Sequence, residues 1–116
     1  MSPRPSAARP GLAHAAPVFA ALGDETRLWL VARLCSEGPL SIVRLSSDAA
    51  VTRQAVTKHL HALAAAGLVK STRHGRRRQR IWELEPRRFQ DARRVLDRIS
   101  RQWDHALDRL RAFVEK

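Results

Sequence analysis

The 116-residue chain has a single cysteine, Cys35, and no long hydrophobic run. One thiol cannot form a disulfide within the chain or a paired-cysteine metal site, and such sparse cysteine usage is typical of a reducing compartment. The longest uncharged, mainly apolar stretches, residues 11–23 and 62–69, are far shorter than the roughly 20 residues that a membrane-spanning helix needs. Residues 1–12 contain three prolines and no apolar stretch, so no secretory signal is predicted. We therefore expect a cytoplasmic protein.

The sequence also lacks the motifs on which enzymes depend. It has no glycine-rich phosphate loop, no nucleophile elbow and no recognisable pair of catalytic carboxylates. Its five histidines are scattered over different segments. The length is close to that of one domain, which leaves little room for a separate cofactor domain. We predict neither catalysis nor a cofactor.

Acidic residues are scarce. The chain has 11 of them and 22 lysines and arginines, which gives a formal net charge of +11. Arginine supplies most of the cations, and codon bias alone could explain their number. Their distribution along the chain must therefore show whether the charge forms a binding surface. Residues 41–84 carry nine cations against two acids, whereas residues 85–116 carry nine against six. Six cations and no acid lie between Lys70 and Arg80. This concentration favours a nucleic-acid surface over a merely solvated hairpin.

The N-terminal third is expected to contain an arm and two helices. Residues 1–12 have no periodicity, so we predict a disordered arm ahead of one domain over residues 13–116. A short apolar helix is expected from His14 to Leu22, followed by a helix that Asp24 caps. The apolar stripe of this second helix comprises Leu28, Val31, Ala32 and Cys35, widened by Leu30 and Leu34. The stripe predicts a buried, inert thiol for Cys35 rather than a redox sensor.

The middle of the chain has the spacing of a helix-turn-helix motif. Ser41 can cap a short helix over residues 42–48, and Thr52 can cap a second helix that runs to about Ala66. Gly67 suits the left-handed position that ends such a helix. On a helical wheel, one side of the second helix is apolar and the other side is polar.

The pattern changes to strands after this motif. Residues 68–69 and 81–84 are predicted strands that flank a polar, cationic stretch, which indicates a hairpin. Pro86 then suits the first position of a final helix. The fold class is therefore mainly α with a small β-hairpin (α+β): a winged helix-turn-helix with a long C-terminal dimerisation helix over residues 86–115.

The final helix carries apolar residues spaced alternately three and four apart, which we name the seam. The seam comprises Phe89, Ala92, Leu96, Ile99, Trp103, Ala106, Leu110 and Phe113. A helix of this length would extend about 43 Å at about 1.5 Å per residue, more than a domain of this size can cover. Packing on its own domain is one possibility, but the length and the unbroken heptad pattern favour a homodimer.

Two groups of polar residues are candidates for contacts with double-stranded DNA. Arginine can pair with the O6 and N7 atoms of guanine, and glutamine with the N6 and N7 atoms of adenine. On the second helix of the motif, the candidates are Arg53, Gln54, Thr57, Lys58 and His61. On the hairpin, the candidates for backbone contacts are Arg73, Arg76, Arg77 and Arg78.

The chain resembles the ArsR family of winged helix-turn-helix repressors over about residues 18–114. The resemblance lies in Leu22-Gly23-Asp24-Glu25-Thr26-Arg27, in Thr52-Arg53-Gln54-Ala55-Val56-Thr57-Lys58-His59-Leu60, and in Ala66-Gly67-Leu68-Val69. It implies a bacterial dimer whose paired recognition helices enter successive major grooves of an operator, while the wings contact the flanking backbone or minor groove.

The chain departs from the metal-sensing members of that family. Where they carry Cys-x-Cys, this sequence has Ser41-Ile42-Val43, and His105 is the only histidine of the final helix. No metal site is therefore expected. The hypothesis is a cytoplasmic, dimeric transcriptional repressor, and the alternative is an interaction or nucleic-acid-coating protein without sequence specificity. The signal, the operator and the regulated genes stay open.

Overall fold

The computed structural model describes residues 11–76 and 78–115. The predicted arm over residues 1–12 therefore lies mostly outside the described residues. The described residues form, in chain order, α1 (Leu12–Leu22), α2 (Glu25–Glu37), β1 (Leu40–Ser41), α3 (Ile42–Ser47), α4 (Arg53–Ala65), β2 (Val69–His74), β3 (Gln79–Leu84) and α5 (Pro86–Val114). The predicted fold class, a winged helix-turn-helix with a long final helix, is confirmed. Helix α1 begins two residues earlier than expected and takes in Leu12, which we had placed in the arm.

Side-chain caps begin the helices at the predicted positions. The Asp24 carboxylate accepts a hydrogen bond from the backbone amide of Arg27 at 3.0 Å, and the Ser41 hydroxyl accepts one from that of Arg44 at 3.2 Å. The Thr52 hydroxyl accepts one from the amide of Ala55 at 3.1 Å. Each bond satisfies an amide that the first helical turn would leave without a partner.

Gly67 makes the turn from α4 into the hairpin. Its φ angle is +79°, and a Cβ atom at this position would lie 2.9 Å from Cγ of Arg88. Both the backbone conformation and the close approach of Arg88 disfavour a larger residue at this position. The predicted role of Gly67 as the end of the helix is confirmed.

The three strands form one antiparallel sheet in the order β1-β3-β2. In the β2–β3 hairpin, Ser71 is paired with Trp82 and Arg73 with Arg80, while Leu40 of β1 is paired with Trp82 from the other side. Both hairpin strands are longer than predicted. The residues towards the hairpin tip are polar, so they lack the apolar residues from which a strand is predicted. Strand β1 was not predicted, since two residues are too few to show a period.

The core lies between α1, α2, α3, α4 and the sheet. Its fully buried side chains are Val18, Leu30, Leu45, Val56, Leu60, Leu63 and Leu68. Helix α2 faces this core with Leu30, Val31 and Leu34, whereas Leu28 is 53% exposed and Cys35 is exposed. The prediction of a buried Cys35 was therefore wrong. Two stripes of α2 have helical spacing, and the packing of the other helices selects the one that Cys35 does not share.

Helix α5 packs on the domain only at its beginning. Ala92 and Val95 are buried, and Phe89 packs against the core. Ala92 thus lies inside its own chain, which corrects its assignment to a dimer interface. From Leu96 onward most seam residues are exposed to solvent; the exposed fraction is 64% for Trp103 and 77% for Phe113. Among the described helices, none is both long and apolar enough to cross a membrane.

Candidate nucleic-acid interface

Helix α4 divides into a buried side and an exposed side, as its sequence predicts. Val56, Leu60 and Leu63 are fully buried. The opposite side, which we name the recognition face, consists of Arg53, Gln54, Thr57, Lys58 and His61; Thr57 is half-buried and the others are exposed. The structure thus brings all five of the predicted α4 residues onto one side of a single helix.

The first turn of α4 is suited to a phosphate group. Thr52 caps the helix, and Arg53 and Gln54 follow with exposed side chains. The amides at a helix N-terminus carry a partial positive charge, which attracts anions. The Thr57 hydroxyl donates to the backbone carbonyl of Arg53 at 3.0 Å, so towards a ligand it can offer its methyl group or accept a hydrogen bond.

The hairpin meets the recognition face at His61. The rings of His61 and Trp82 are in edge-to-face contact, with centroids 5.9 Å apart and an interplanar angle of 83°. Trp82 is buried, and the guanidinium of Arg80 lies over its ring at 5.9 Å. The recognition face and the hairpin therefore form one continuous surface. Arg80 is not among the predicted DNA contacts, although its place two residues before Trp82 on a strand puts both side chains on the same side of the sheet.

The cationic charge of the hairpin is concentrated towards its tip. Nearer the domain, the ammonium group of Lys70 lies 3.8 Å from the Glu83 carboxylate and 3.4 Å from that of Glu85. Towards the tip, Arg73, Arg76 and Arg78 are all exposed, while the predicted contact Arg77 lies outside the described residues.

The tip itself is a tight turn. The amide of Arg78 donates to the carbonyl of Gly75 at 3.1 Å. Gly75 has a φ angle of +80° and Arg78 one of +50°. The second value is unusual for a side-chain-bearing residue, because the left-handed region favours glycine. A charged side chain is thus retained at a position where glycine would be less strained.

His59 lies on α4 but outside the recognition face. Its Nδ1 atom is 3.4 Å from Nη1 of Arg27 and 3.8 Å from the carboxylate of Asp24. The pKa of Asp24 lies below its ordinary value, chiefly because the carboxylate accepts a hydrogen bond from the amide of Arg27; His59 and the Arg27 guanidinium lower it further. This contact joins α4 to the start of α2.

The chain is similar to known transcriptional regulators. A helix-turn-helix domain family matches residues 22–72. The regulator Rv2034 of Mycobacterium tuberculosis is 40% identical, in an alignment that covers 75% of this chain and 76% of that protein. The regulator YuzN of Bacillus subtilis, itself uncharacterised, is also 40% identical, over 60% of this chain and 82% of that protein.

Solved structures show the same relationship. An ArsR-like transcriptional regulator from Rhodococcus sp. RHA1 superimposes with a TM-score of 0.70 and 37% sequence identity, covering 87% of this chain and 92% of that one. An ArsR family regulator designated RHA00566 superimposes with a TM-score of 0.68 and 26% identity. These relatives are transcriptional regulators, not enzymes.

Proposed function

The chain belongs to the ArsR family of winged helix-turn-helix transcriptional regulators, and on that premise we propose that it is a homodimeric repressor of a pseudo-palindromic operator. DNA binding and transcriptional regulation follow from its family. The observation that carries the finer proposal is the contact between His61 and Trp82. It joins the recognition face and the hairpin into one surface that can follow a duplex from the major groove to the flanking backbone.

The residues of this surface have two roles. In the proposal, Arg53, Gln54, Thr57 and Lys58 contact base edges or lie close to them, and His61 contacts DNA at the junction with the hairpin. The hairpin arginines contact phosphates and supply affinity without sequence choice. The hairpin group comprises Arg73, Arg76, Arg77 and Arg78, and we add Arg80 because its guanidinium lies over the Trp82 ring at 5.9 Å.

The dimer would form along the exposed part of the seam. Leu96, Ile99, Trp103 and Leu110 are each half or more exposed in one chain. A continuous apolar face of this kind on a charged helix is unfavourable in water, and a second copy would remove it from solvent. Leu12 and Phe19 of α1, which packs on α5, are also exposed and would extend the interface.

Two recognition faces held at a fixed distance would read two half-sites. In helix-turn-helix dimers, the half-sites are about 10 to 10.5 base pairs apart, or a multiple of that spacing. Repression would follow because the bound dimer covers part of a promoter. Such a regulator would act in the cytoplasm, where a bacterial chromosome lies.

A competition titration tests this proposal against a regulator that coats DNA without sequence choice. The labelled probe is a duplex that contains the promoter of the protein's own gene, and the competitor is random duplex at moderate salt. A specific repressor should prefer the promoter by roughly 10³-fold or more, and footprints should show two half-sites with the spacing given above. Equal competition by random duplex would refute the repressor and favour the coating protein.

A further inference from the structure

Helix α4 is held in the domain mainly by apolar contacts. Val56, Leu60 and Leu63 are fully buried, but apolar contacts are not directional and tolerate small rotations of a helix. A hydrogen bond depends on angle as well as distance. Among the described residues, His59 is the α4 residue whose side chain makes a hydrogen bond to another helix, with Nδ1 3.4 Å from Nη1 of Arg27.

The partner of His59 is itself fixed at two points. Arg27 donates from Nε to the carbonyl of Ala21, in the last turn of α1, at 2.6 Å. Its backbone amide donates to the Asp24 carboxylate, which caps α2. Hydrogen bonds therefore hold Arg27 to the end of α1 through its side chain and to the start of α2 through its backbone. Its guanidinium is thus in a fixed position relative to α1 and α2, from which it can orient α4.

We propose that His59 is a positioning residue for DNA binding, which sets the angle of the recognition face by accepting a hydrogen bond from Arg27. The proposal rests on the DNA-binding function given above and adds a residue that does not touch DNA. His59 lies on the opposite side of α4 from the recognition face. It can therefore affect Gln54 and Lys58 only by changing the orientation of the whole helix.

The same ring nitrogen faces a donor and an acceptor. A neutral ring with a lone pair on Nδ1 accepts from Arg27 at 3.4 Å. A proton on Nδ1 removes that acceptor, repels the guanidinium and favours the Asp24 carboxylate at 3.8 Å. The charged groups that face the ring are Arg27 of α2 and Asp24, which caps that helix, and α1 contributes the carbonyl of Ala21. The hydrogen bond from Arg27 therefore requires a lone pair on Nδ1 of His59.

Two substitutions separate positioning from packing. His59→Leu keeps apolar volume but removes the acceptor, whereas His59→Asn keeps an acceptor oxygen close to the Nδ1 position and cannot take up a proton. His105→Leu, on an exposed part of α5 outside the seam, is the matched control. The first measurement is the ratio of affinities for the promoter duplex and for random duplex.

We expect His59→Leu to lower this ratio about tenfold, as loss of one hydrogen bond to a charged group would, with binding to random duplex unchanged. His59→Asn should keep the ratio within about threefold of the native protein, and His105→Leu should leave it unchanged. An unchanged ratio in His59→Leu, or an equal loss for both duplexes, would overturn the proposal.

A second measurement needs no DNA. Residual dipolar couplings of the α4 amides, referred to those of α2, should show a rotated α4 in His59→Leu and the native orientation in His59→Asn. The same orientation in all variants would also overturn the proposal. If the native protein shows no preference for its promoter, the repressor function fails while this measurement still decides the role of His59. If His59→Leu does not fold, His59→Ala, which also lacks the acceptor, replaces it in both measurements, and the same outcomes support or overturn the proposal.

Discussion

Arg73 of β2 lies directly opposite Arg80 of β3, on the side of the hairpin that carries Trp82. Two like charges at paired positions of an antiparallel ladder destabilise it. A polyanion such as the DNA backbone would remove this repulsion. If the hairpin binds DNA as proposed, we therefore expect binding to offset a repulsion that lowers the stability of the free hairpin.

Arg73→Thr should make the protein more stable and weaken DNA binding. Removing the repulsion and introducing a β-branched residue should raise the free energy of unfolding by about 0.2 to 1 kcal/mol. Affinity should fall for every duplex, and the slope of log K against log salt should decrease by about 0.9. Denaturant unfolding and salt titrations measure the two effects. A less stable variant with native affinity would contradict this assignment.

Gln54→Ala and Arg76→Ala should have different effects on DNA binding. Gln54→Ala should relax the preference at one base position by about 1 to 3 kcal/mol. Arg76→Ala should weaken binding to all sequences alike and reduce the salt slope by about one unit. Selection from a randomised operator library, followed by titrations at several salt concentrations, gives both quantities. Equal loss of specificity in the two variants would refute the division between base and backbone contacts.

Arg78→Gly should separate backbone strain from charge at the hairpin tip. Because the φ angle of Arg78 is +50°, glycine should raise the free energy of unfolding by up to about 1 kcal/mol. Arg78→Ala loses the same charge but keeps the strain, so it is the matched control. Both variants should bind DNA more weakly than the native protein and equally so. Equal stability of the two variants would show that the turn is not strained.

If the proposed dimer forms along the seam, Trp103→Glu should convert it to a monomer. The indole of Trp103 is 64% exposed in one chain, and a carboxylate at the centre of an apolar interface would lose hydration without a partner. Sedimentation equilibrium measures the change in mass. Arg101→Glu, on the opposite side of α5, should leave the dimer intact. An unchanged mass for Trp103→Glu would show that the chains meet elsewhere or that the protein is monomeric.

Asp24 should contribute to the acid sensitivity of the fold. Its pKa is lowered from 3.8 in the native protein, so the unfolded chain binds a proton more readily than the folded chain does. The contribution is therefore complete above the unfolded pKa and is lost as the pH falls through the lower, folded pKa. Asp24→Asn can still cap α2 but should be less stable than the native protein at neutral pH, and the difference should shrink below about pH 4. A difference that stays constant in denaturant unfolding down to about pH 2 would contradict this account.

Features that depend on neighbouring residues were predictable from the order of the residues. Asp24, Ser41 and Thr52 cap helices within three residues of their own positions, and Gly67 supplies a conformation that other residues rarely adopt. The buried and exposed sides of α4 follow from the helical spacing of its apolar and polar residues. These features are local, so the order of residues was sufficient to predict them.

The folded chain, in contrast, was needed to establish which surfaces meet. It placed Leu30 and Leu34 rather than Cys35 in the core, buried Ala92 within its own chain, and set Arg73 opposite Arg80. It also brought Arg27 to His59, which lies 32 residues further along the chain. Such contacts depend on the simultaneous packing of all the helices against the sheet. The helical period predicts the apolar and polar faces of each helix, but it does not show which other element each face contacts.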